Sequence, residues 1–155
     1  MDAEPLKLSE PKFVEGSAMR VAGHRGEYTR EQTGEIPRQW DAFNAALYRA
    51  EGLGVIDDST LGVVYPLTPM RYVTGVAIRP EAAVPEGWIA VTVPAQRYAV
   101  FAETGGVPAI RRALVMIFSE WLPKSGRRPA DGPMLERYPA DWVTSGNFEI
   151  WIPMA

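Results

Sequence analysis

The sequence predicts an α+β domain in which a strand–helix–strand–strand module occurs twice, with two main helices packed over an antiparallel sheet and a ligand groove between the halves. The first observation is length, because 155 residues match one typical domain. The second is that many short segments rich in β-branched and aromatic residues accompany only two segments of helical periodicity. The third is that the two halves of the chain correspond segment by segment.

The correspondence consists of three pairs of segments that align without internal gaps. The pairs are MRVAGHRG (19–26) with QRYAVFAE (96–103), IPRQWDAFNAALYRA (36–50) with VPAIRRALVMIFSEW (107–121), and YPLTPMRYVTGVAIRP (65–80) with YPADWVTSGNFEIWIP (138–153). Their offsets are 77, 71 and 73 residues, so only the connecting loops differ in length. This order predicts two repeats related by an approximate twofold axis.

The repeats also predict the domain boundaries. We expect one domain over residues 11–155, made of repeats at about 11–80 and 88–153. Residues 1–10, MDAEPLKLSE, are expected to form a flexible arm in front of it.

Each helix segment has a single apolar stripe to bury. Apolar residues recur at helix spacing behind Pro37 in the first segment and behind Pro108 in the second, and proline suits a first helical turn. We expect Gly52 and Gly54 to end the first helix, and Pro123 with Gly126 beyond it to end the second.

The remaining apolar segments predict strands, because they are rich in β-branched and aromatic residues. Besides the paired segments at 19–26 and 96–103, the second of which contains YAVF (98–101), they are FVEG (13–16), LGVVY (61–65), YVTGVAI (72–78), WIAVTV (88–93), MLERY (134–138) and FEIWI (148–152). The segments at 13–16 and 88–93 begin the two repeats as an extra extended piece in front of each strand–helix–strand–strand module.

Composition argues against several classes of function. The formal net charge is −3 without a run of like charges, so we expect no direct binding to nucleic acid. No apolar stretch approaches the roughly 18 residues that span a bilayer, and the N-terminus has no apolar signal core, which predicts a cytoplasmic protein with no membrane contact. With no cysteine and with His24 as the only histidine, we expect neither a metal site nor a cofactor.

The second half carries motifs typical of a known family. They are the WLP-SG step after the second helix, the G-P-x-x-E-x-Y strand from Gly132 to Tyr138, and the final E-I-W-I-P. With them, over roughly residues 10–154, the chain resembles the gyrase-inhibitor-like effector-binding family, which also forms the ligand-sensing part of some AraC-type and MerR-type multidrug-responsive activators. Because no helix-turn-helix is recognisable, we expect a stand-alone member.

The resemblance implies a duplicated fold with a central pocket for aromatic, often cationic, amphipathic molecules. It also implies that a glutamate on the strand matching MLERY pairs with the cation, and by position this residue is Glu136. Some stand-alone relatives are thought to hydrolyse cyclopropane-bearing genotoxins with a glutamate and a tyrosine, which would here be Glu136 and Tyr138.

Glu136 is also singled out by its position in MLERYPADW (134–142). Side chains alternate along a strand, so Glu136 and Tyr138 project together, roughly 7 Å apart, while Arg137 points away. If Glu136 lines an aromatic pocket, partial desolvation raises its pKa; the alternative is an exposed strand glutamate or one paired with a distant arginine. Aligning Tyr65 with Tyr138 places Val63 against Glu136, so an apolar residue and an acid occupy corresponding positions.

Aromatic residues supply the candidate walls of such a pocket. Aromatic faces attract cations by about 0.5 to 2 kcal/mol each. The candidates are Trp40, Tyr65, Tyr72, Phe101, Trp121, Tyr138 and Trp151. Ordinary core packing is the alternative for each of them, and for Trp121 and Trp151 above all.

The leading hypothesis is a protein that takes aromatic, cationic compounds into a pocket between its halves and either sequesters them or reports them to a separate regulator or protein partner. The second is a hydrolase of a reactive xenobiotic that uses Glu136 as general base and Tyr138 to position or protonate the leaving group. The third is a protein-interaction module, such as an inhibitor of a DNA-handling enzyme.

Overall fold

The computed structural model describes residues 7–155. The eight strands are β1 Lys12–Gly16, β2 Met19–Tyr28, β3 Thr60–Tyr65, β4 Met70–Ile78, β5 Ile89–Val93, β6 Gln96–Glu103, β7 Met134–Tyr138 and β8 Phe148–Met154. The helices are a 3-10 helix at Arg30–Glu35, α1 Ile36–Arg49, α2 Gly106–Met116, a wider π turn at Ile117–Trp121, α3 Leu122–Ser125 and α4 Trp142–Ser145.

All eight strands form one antiparallel sheet in the order β1-β6-β8-β7-β3-β4-β2-β5. Outward from the central pair, β7 is followed by β8 and β6 from the second half, and β3 by β4 and β2 from the first. The predicted α+β class and the duplicated module are therefore confirmed. The outermost strands are exchanged between the halves, because β1 pairs with β6 and β5 pairs with β2.

This exchange makes the sheet curl. Strands β1 and β2 lie six positions apart in the sheet order, which would be about 29 Å in a flat sheet. Only Ser17 and Ala18 connect them, and such a link spans at most about 11 Å. Strands β5 and β6 are joined in the same way through Pro94 and Ala95. The two edges are thus drawn together, and the face away from the helices closes on its own side chains.

The inner face of the curled sheet holds one hydrophobic cluster. Its fully buried members include Val21, Val63, Val73, Val93 and Tyr98, each with 0% of its surface exposed. Among the described residues no helical side chain belongs to this cluster, so the curl itself accounts for its burial.

The two main helices pack on the outer face and leave its centre between them. Helix α1 packs against β2 and β4, where Phe43 contacts a cluster that includes Val76. Helix α2 packs against β6 and β8, where Ala113 contacts a cluster that includes Ile150. The central strands β3 and β7 therefore run along the floor between the helices.

The second helix continues past the proline that was predicted to end it. Residues Ile117–Trp121 widen into a π turn, and α3 follows with Pro123 in its first turn, where a missing N–H is tolerated. The chain then leaves the helix at Gly126, whose φ of +68° is a left-handed conformation that glycine adopts without strain. The prediction for Pro123 is wrong, and the prediction for Gly126 is confirmed.

The predicted N-terminal arm lies partly outside the described residues, which begin at Lys7. Within the described part, Leu8 packs against the core beneath α2. The backbone N–H of Ser9 donates a hydrogen bond of 2.8 Å to Glu103 Oε1. Residues 8 and 9 are thus attached to the second half of the domain.

Candidate ligand site

Glu136 lies at the centre of the outer face of the sheet. The strand register places one row of residues across six strands, in the order Phe101, Ile150, Glu136, Gly62, Thr74, His24. Three come from each half, and Glu136 and Gly62 form the middle pair. The pseudo-twofold axis therefore passes between an acid and a glycine.

The Glu136 carboxylate is buried and held by two phenols. Only 7% of the residue is exposed. Its Oε1 atom accepts a short hydrogen bond from the hydroxyl of Tyr72 and one of 3.1 Å from the hydroxyl of Tyr138. Trp40 extends the network, because its Nε1–H donates to the Tyr72 oxygen at 3.0 Å.

Gly62 leaves the space in which Tyr72 reaches Glu136. A β-carbon at Gly62 would lie 2.5 Å from Tyr72 Oη and 2.6 Å from Glu136 Oε1, both closer than real β-carbons approach. The absence of a side chain on β3 therefore lets the phenol of β4 reach the acid of β7. The role of this glycine is spatial, since its φ is not positive.

Four aromatic rings pack together at this hydrogen-bonded group, three of which, Trp40, Tyr72 and Tyr138, belong to it. Tyr138 packs edge-on against Trp40, with 5.3 Å between ring centroids and 88° between ring planes. On its other side the ring of Trp142 is 4.8 Å away. Trp40 also packs edge-on against Tyr72 at 6.4 Å. Each half supplies rings, Trp40 and Tyr72 from the first and Tyr138 and Trp142 from the second.

Gln39 fixes the position of Trp40 at the start of α1. Its side-chain Nε2 donates to the backbone carbonyls of Tyr72 at 3.0 Å and His24 at 3.1 Å, on neighbouring strands. Its carbonyl oxygen accepts a hydrogen bond from the hydroxyl of Tyr28. One carboxamide thus attaches this helix end to the sheet directly beside Trp40.

Trp142 is held over Tyr138 by the connection between α4 and α2. Helix α4 ends at Gly146, which has a φ of +69°. The carbonyl of Gly146 accepts hydrogen bonds of 3.2 Å from the N–H groups of Gly105 and Gly106 at the start of α2. The glycine pair before α2 therefore serves as a mainchain anchor for α4.

Burial dominates the electrostatics of the site. It raises the pKa of the Glu136 carboxyl, and the hydrogen bonds from Tyr72 and Tyr138 oppose this rise. Burial and, after it, the charge of Glu136 raise the pKa of both tyrosines. The phenols therefore remain protonated donors at neutral pH. This upward direction of the Glu136 pKa is the one predicted for a desolvated carboxyl.

No cation within residues 7–155 forms an ion pair with Glu136. Its neighbour Arg137 points to the other face of the sheet, as predicted. There Arg137 contacts Glu149 at 3.3 Å and Asp57 at 3.4 Å. The charge of Glu136 is thus met only by neutral donors.

The family of the chain follows from comparison with known proteins. Residues 12–154 match the model of a family described as integron-associated effector-binding protein. The chain belongs to this effector-binding family. The transcriptional regulator BrlR of Pseudomonas aeruginosa is 37% identical over 135 residues, which are 86% of this chain and 49% of that protein. The chain therefore spans about half the length of this relative.

Solved structures share the fold of this effector-binding domain. The structure of SAV2435 bound to tetraphenylphosphonium has a TM-score of 0.77 at 21% identity and covers 95% of this chain and 94% of that one. The integron cassette protein VCH_CASS2 of Vibrio cholerae has a TM-score of 0.62 at 16% identity, with coverages of 96% and 97%. The predicted fold and the predicted resemblance are confirmed.

The effector-binding domain brings together four of the predicted site residues, namely Glu136, Tyr138, Tyr72 and Trp40. Tyr65 and Trp151 lie elsewhere, packed against the cluster of the inner face, since side chains on one strand alternate between faces. Phe101 and Trp121 are on the outer face, but they pack on each other at 5.0 Å within the core of the second half.

The alignment of Val63 with Glu136 is wrong by one residue. Val63 faces the inner cluster and pairs across strands with Leu135, whereas Gly62 pairs with Glu136. At the pseudo-twofold axis the two halves thus differ in one residue, since the second half carries Glu136 where the first carries Gly62. Sequence reasoning missed Gly62, Gln39 and Trp142, and only Trp142 had a local signal, its place shortly after Tyr138.

Two further observations concern other classes of function. Residues 7–155 contain no group of three or more His, Cys, Asp or Glu side chains placed to hold a metal ion. In the same part of the chain, every helix falls short of the length and apolar character needed to cross a bilayer.

Proposed function

We propose that this effector-binding domain binds amphipathic aromatic cations over Glu136, in the groove between its two halves. The observation that carries the proposal is a buried carboxylate whose partners in the described chain are two phenol hydroxyls and no cation. A similar fold is known with tetraphenylphosphonium, an aromatic cation, bound to SAV2435.

The energetics support this class of ligand. Burying a carboxylate without an opposite charge is unfavourable, and hydrogen bonds from phenols offset only part of the lost hydration. A bound cation would supply the missing charge in surroundings where electrostatic attraction is strong. The rings of Trp40, Tyr138 and Trp142 would add aromatic contacts around it.

Ligand entry requires that the covering rings move. Tyr72 and Tyr138 are buried, whereas Trp40 and Trp142 are only partly buried. Trp40 belongs to the start of α1, and Trp142 to the four-residue helix α4. Displacement of these two indoles would open the groove while the acid and its phenols stay on the sheet.

Size-matched ions of opposite charge test the proposal. Calorimetric titration with tetraphenylphosphonium should give saturable binding, whereas tetraphenylborate, which has nearly the same shape, should bind more than about a hundredfold more weakly because like charges repel in a desolvated site. Neutral triphenylphosphine oxide should fall between them. Equal affinity for the two ions would overturn the proposal.

A hydrolase is the second candidate, favoured by the 3.1 Å contact between Tyr138 Oη and Glu136 Oε1. In this reaction Glu136 takes a proton from water as the water oxygen attacks a carbon of an electrophilic cyclopropane. The ring C–C bond breaks, and its electron pair takes a proton from Tyr138. The raised pKa of Tyr138 makes it a poor proton donor, which favours binding over turnover.

Turnover separates the two candidates. Protein would be incubated with a large excess of a cyclopropane-bearing electrophile, and the ring-opened product followed by mass spectrometry. Catalysis requires several product molecules per protein, abolished by Glu136→Gln. A yield capped at the protein concentration excludes it.

We further propose that ligand occupancy is read by another segment or protein. BrlR is a transcriptional regulator about half of which corresponds to this chain, and the net charge of −3 disfavours direct contact with nucleic acid. Affinity capture with and without tetraphenylphosphonium should return a protein partner whose recovery depends on the ligand.

A further inference from the structure

A second cleft lies away from Glu136, between residues 7–13 and the end of the second helix. Its volume is about 760 Å³. Its lining includes the aromatic residues Phe13 and Trp121 and the cations Lys7, Lys124 and Arg127. None of them belongs to the group around Glu136, so the cleft is a separate site.

Two aromatic rings form part of its wall. Phe13 and Trp121 have ring centroids 6.4 Å apart and planes inclined by 37°. Phe13 is 45% exposed although it is a large apolar residue. Trp121 ends the π turn at Ile117–Trp121, and such turns occur frequently at functional sites. The helix is therefore widened where it borders the cleft.

The cleft also gathers cations in an otherwise acidic domain. Lys7, Lys124 and Arg127 line it, against the two acids Glu10 and Glu120. Within the described chain none of these five side chains forms an ion pair. The excess of positive charge contrasts with the formal net charge of −3 for the whole chain.

One polar group on the wall, the Arg127 side chain, is available to a ligand, and a second, the Ser9 hydroxyl, is enclosed by protein atoms. The Arg127 guanidinium lies 4.3 Å from the centroid of the Phe13 ring, a cation–π contact that orients it. Its guanidinium N–H groups donate no hydrogen bond within residues 7–155, whereas the backbone N–H of Arg127 donates to Ser125 Oγ at 3.1 Å. The hydroxyl oxygen of Ser9 is buried and has no hydrogen-bond partner among the described groups, which is uncommon for a buried polar atom.

We propose that this cleft binds a flat aromatic anion. The aromatic part of the ligand lies against Phe13 and Trp121, and its acidic group receives hydrogen bonds from Arg127, whose planar fork matches carboxylate, sulfonate and phosphate oxygens. Lys7 and Lys124 add positive charge. This site differs in charge from the one around Glu136 and does not depend on what binds there.

Fluorescence titration with 8-anilinonaphthalene-1-sulfonate tests the charge preference, because N-phenyl-1-naphthylamine is a neutral probe with the same ring system. The sulfonate should bind saturably at one site per chain, and the neutral probe about tenfold or more weakly, given several unpaired cations. Equal affinities would overturn the proposal.

Variants locate the site. Arg127 is exposed, so Arg127→Gln should fold normally and weaken sulfonate binding by about fivefold, the upper range for an exposed charge pair. Glu120→Gln, an exposed lining acid, is the matched control and should bind equally or more tightly. Phe13→Leu should weaken binding through loss of the ring. Binding that survives both Arg127→Gln and Phe13→Leu would contradict the assignment.

The site around Glu136 supplies the last control. Glu136→Gln should leave sulfonate binding unchanged, since Glu136 does not line this cleft. A tetraphenylphosphonium competitor should likewise not displace the sulfonate. Displacement, or a changed affinity in Glu136→Gln, would place the anion in the central groove and overturn the second site.

Discussion

Glu136 and Arg137 are neighbours on β7 and meet opposite surroundings. Arg137 lies on the inner face, its side chain is 35% exposed, and it contacts two carboxylates. Glu136 lies on the outer face with 7% of the residue exposed, and its partners are two phenols. One strand thus carries a charge that is already neutralised and, beside it, a charge that is not.

The difference separates a charge whose partners lie within the protein from one that the proposed ligand would pair. Partly exposed ion pairs contribute at most about 1 kcal/mol to stability, so Arg137 is accounted for by its pairs. A buried carboxylate without an opposite charge is destabilising, and an apolar residue there would fold at least as well. The burial of Glu136 beside neutral donors therefore supports the proposed cationic ligand, which would supply the opposite charge.

Replacing Glu136 by glutamine should have the largest effect. The amide keeps the shape of the side chain but removes the charge, and losing one member of a buried charge pair costs about 2 to 5 kcal/mol of binding, or about 30-fold to several thousandfold in affinity for tetraphenylphosphonium. Affinity for triphenylphosphine oxide should stay the same, and the melting temperature should be unchanged or higher.

Calorimetry and thermal unfolding measure both effects of Glu136→Gln. Arg137→Gln is the matched control, because it removes a charge from the adjacent residue on the opposite face. A similar loss for the cation and the neutral compound would show that shape, and not charge, selects the ligand.

Gly62→Ala should disturb the surroundings of Glu136 from the neighbouring strand β3. The new methyl group would press on Tyr72 and Glu136, and overpacking of this kind costs about 1 to 3 kcal/mol of unfolding free energy. Gly34→Ala is the control, since a β-carbon there meets nothing within 4 Å. Neither glycine has a positive φ, so only space distinguishes them.

Urea unfolding of the two glycine variants gives the comparison. Gly62→Ala should also weaken tetraphenylphosphonium binding, because the alanine separates the phenol from the acid. Equal stabilities of the two variants would contradict the close packing around Glu136.

The pH dependence of the unfolding free energy should identify Glu136 as the group that titrates. Its pKa is raised above 4.5 in the folded protein, so above that pH the folded state binds more protons than the unfolded state. The stability contributed by Glu136 is therefore present at low pH and falls as pH rises through its folded pKa, by at most about 1.4 kcal/mol per pH unit. A cation pairs with the ionised form, so tetraphenylphosphonium affinity should rise over the same interval.

The measurement is the difference in unfolding free energy between the wild type and Glu136→Gln at several pH values. As pH increases above 4.5, the wild type should lose unfolding free energy relative to Glu136→Gln. A difference that is constant with pH would mean that Glu136 does not change its protonation there.

The sequence was sufficient for the parts of the site that lie on one strand. Alternation along MLERY and the family motif identified Glu136, placed Tyr138 beside it and turned Arg137 away. The helix segments were found from periodicity, because each is long enough to show an apolar stripe. These features depend on neighbours within a few residues.

Contacts that depend on pairing between strands far apart in the sequence could not be predicted from the sequence. Tyr72 is 64 residues from Glu136 and reaches it only through the register of β4, β3 and β7. The error at Val63 has the same origin, since a shift of one residue moves a side chain to the other face. Trp142 was missed because α4 has four residues, too few to show periodicity.

Arg137→Gln should have the smallest effect and completes the contrast within β7. Loss of its two ion pairs should lower the unfolding free energy by at most about 1 kcal/mol at low salt. In about 1 M sodium chloride this loss should nearly vanish, because the screening length falls to about 3 Å. The discrimination between tetraphenylphosphonium and its neutral analogue should persist in the same salt, since a desolvated pair is screened much less. If salt removed that discrimination as well, the cation would be held at the exposed surface and not by Glu136.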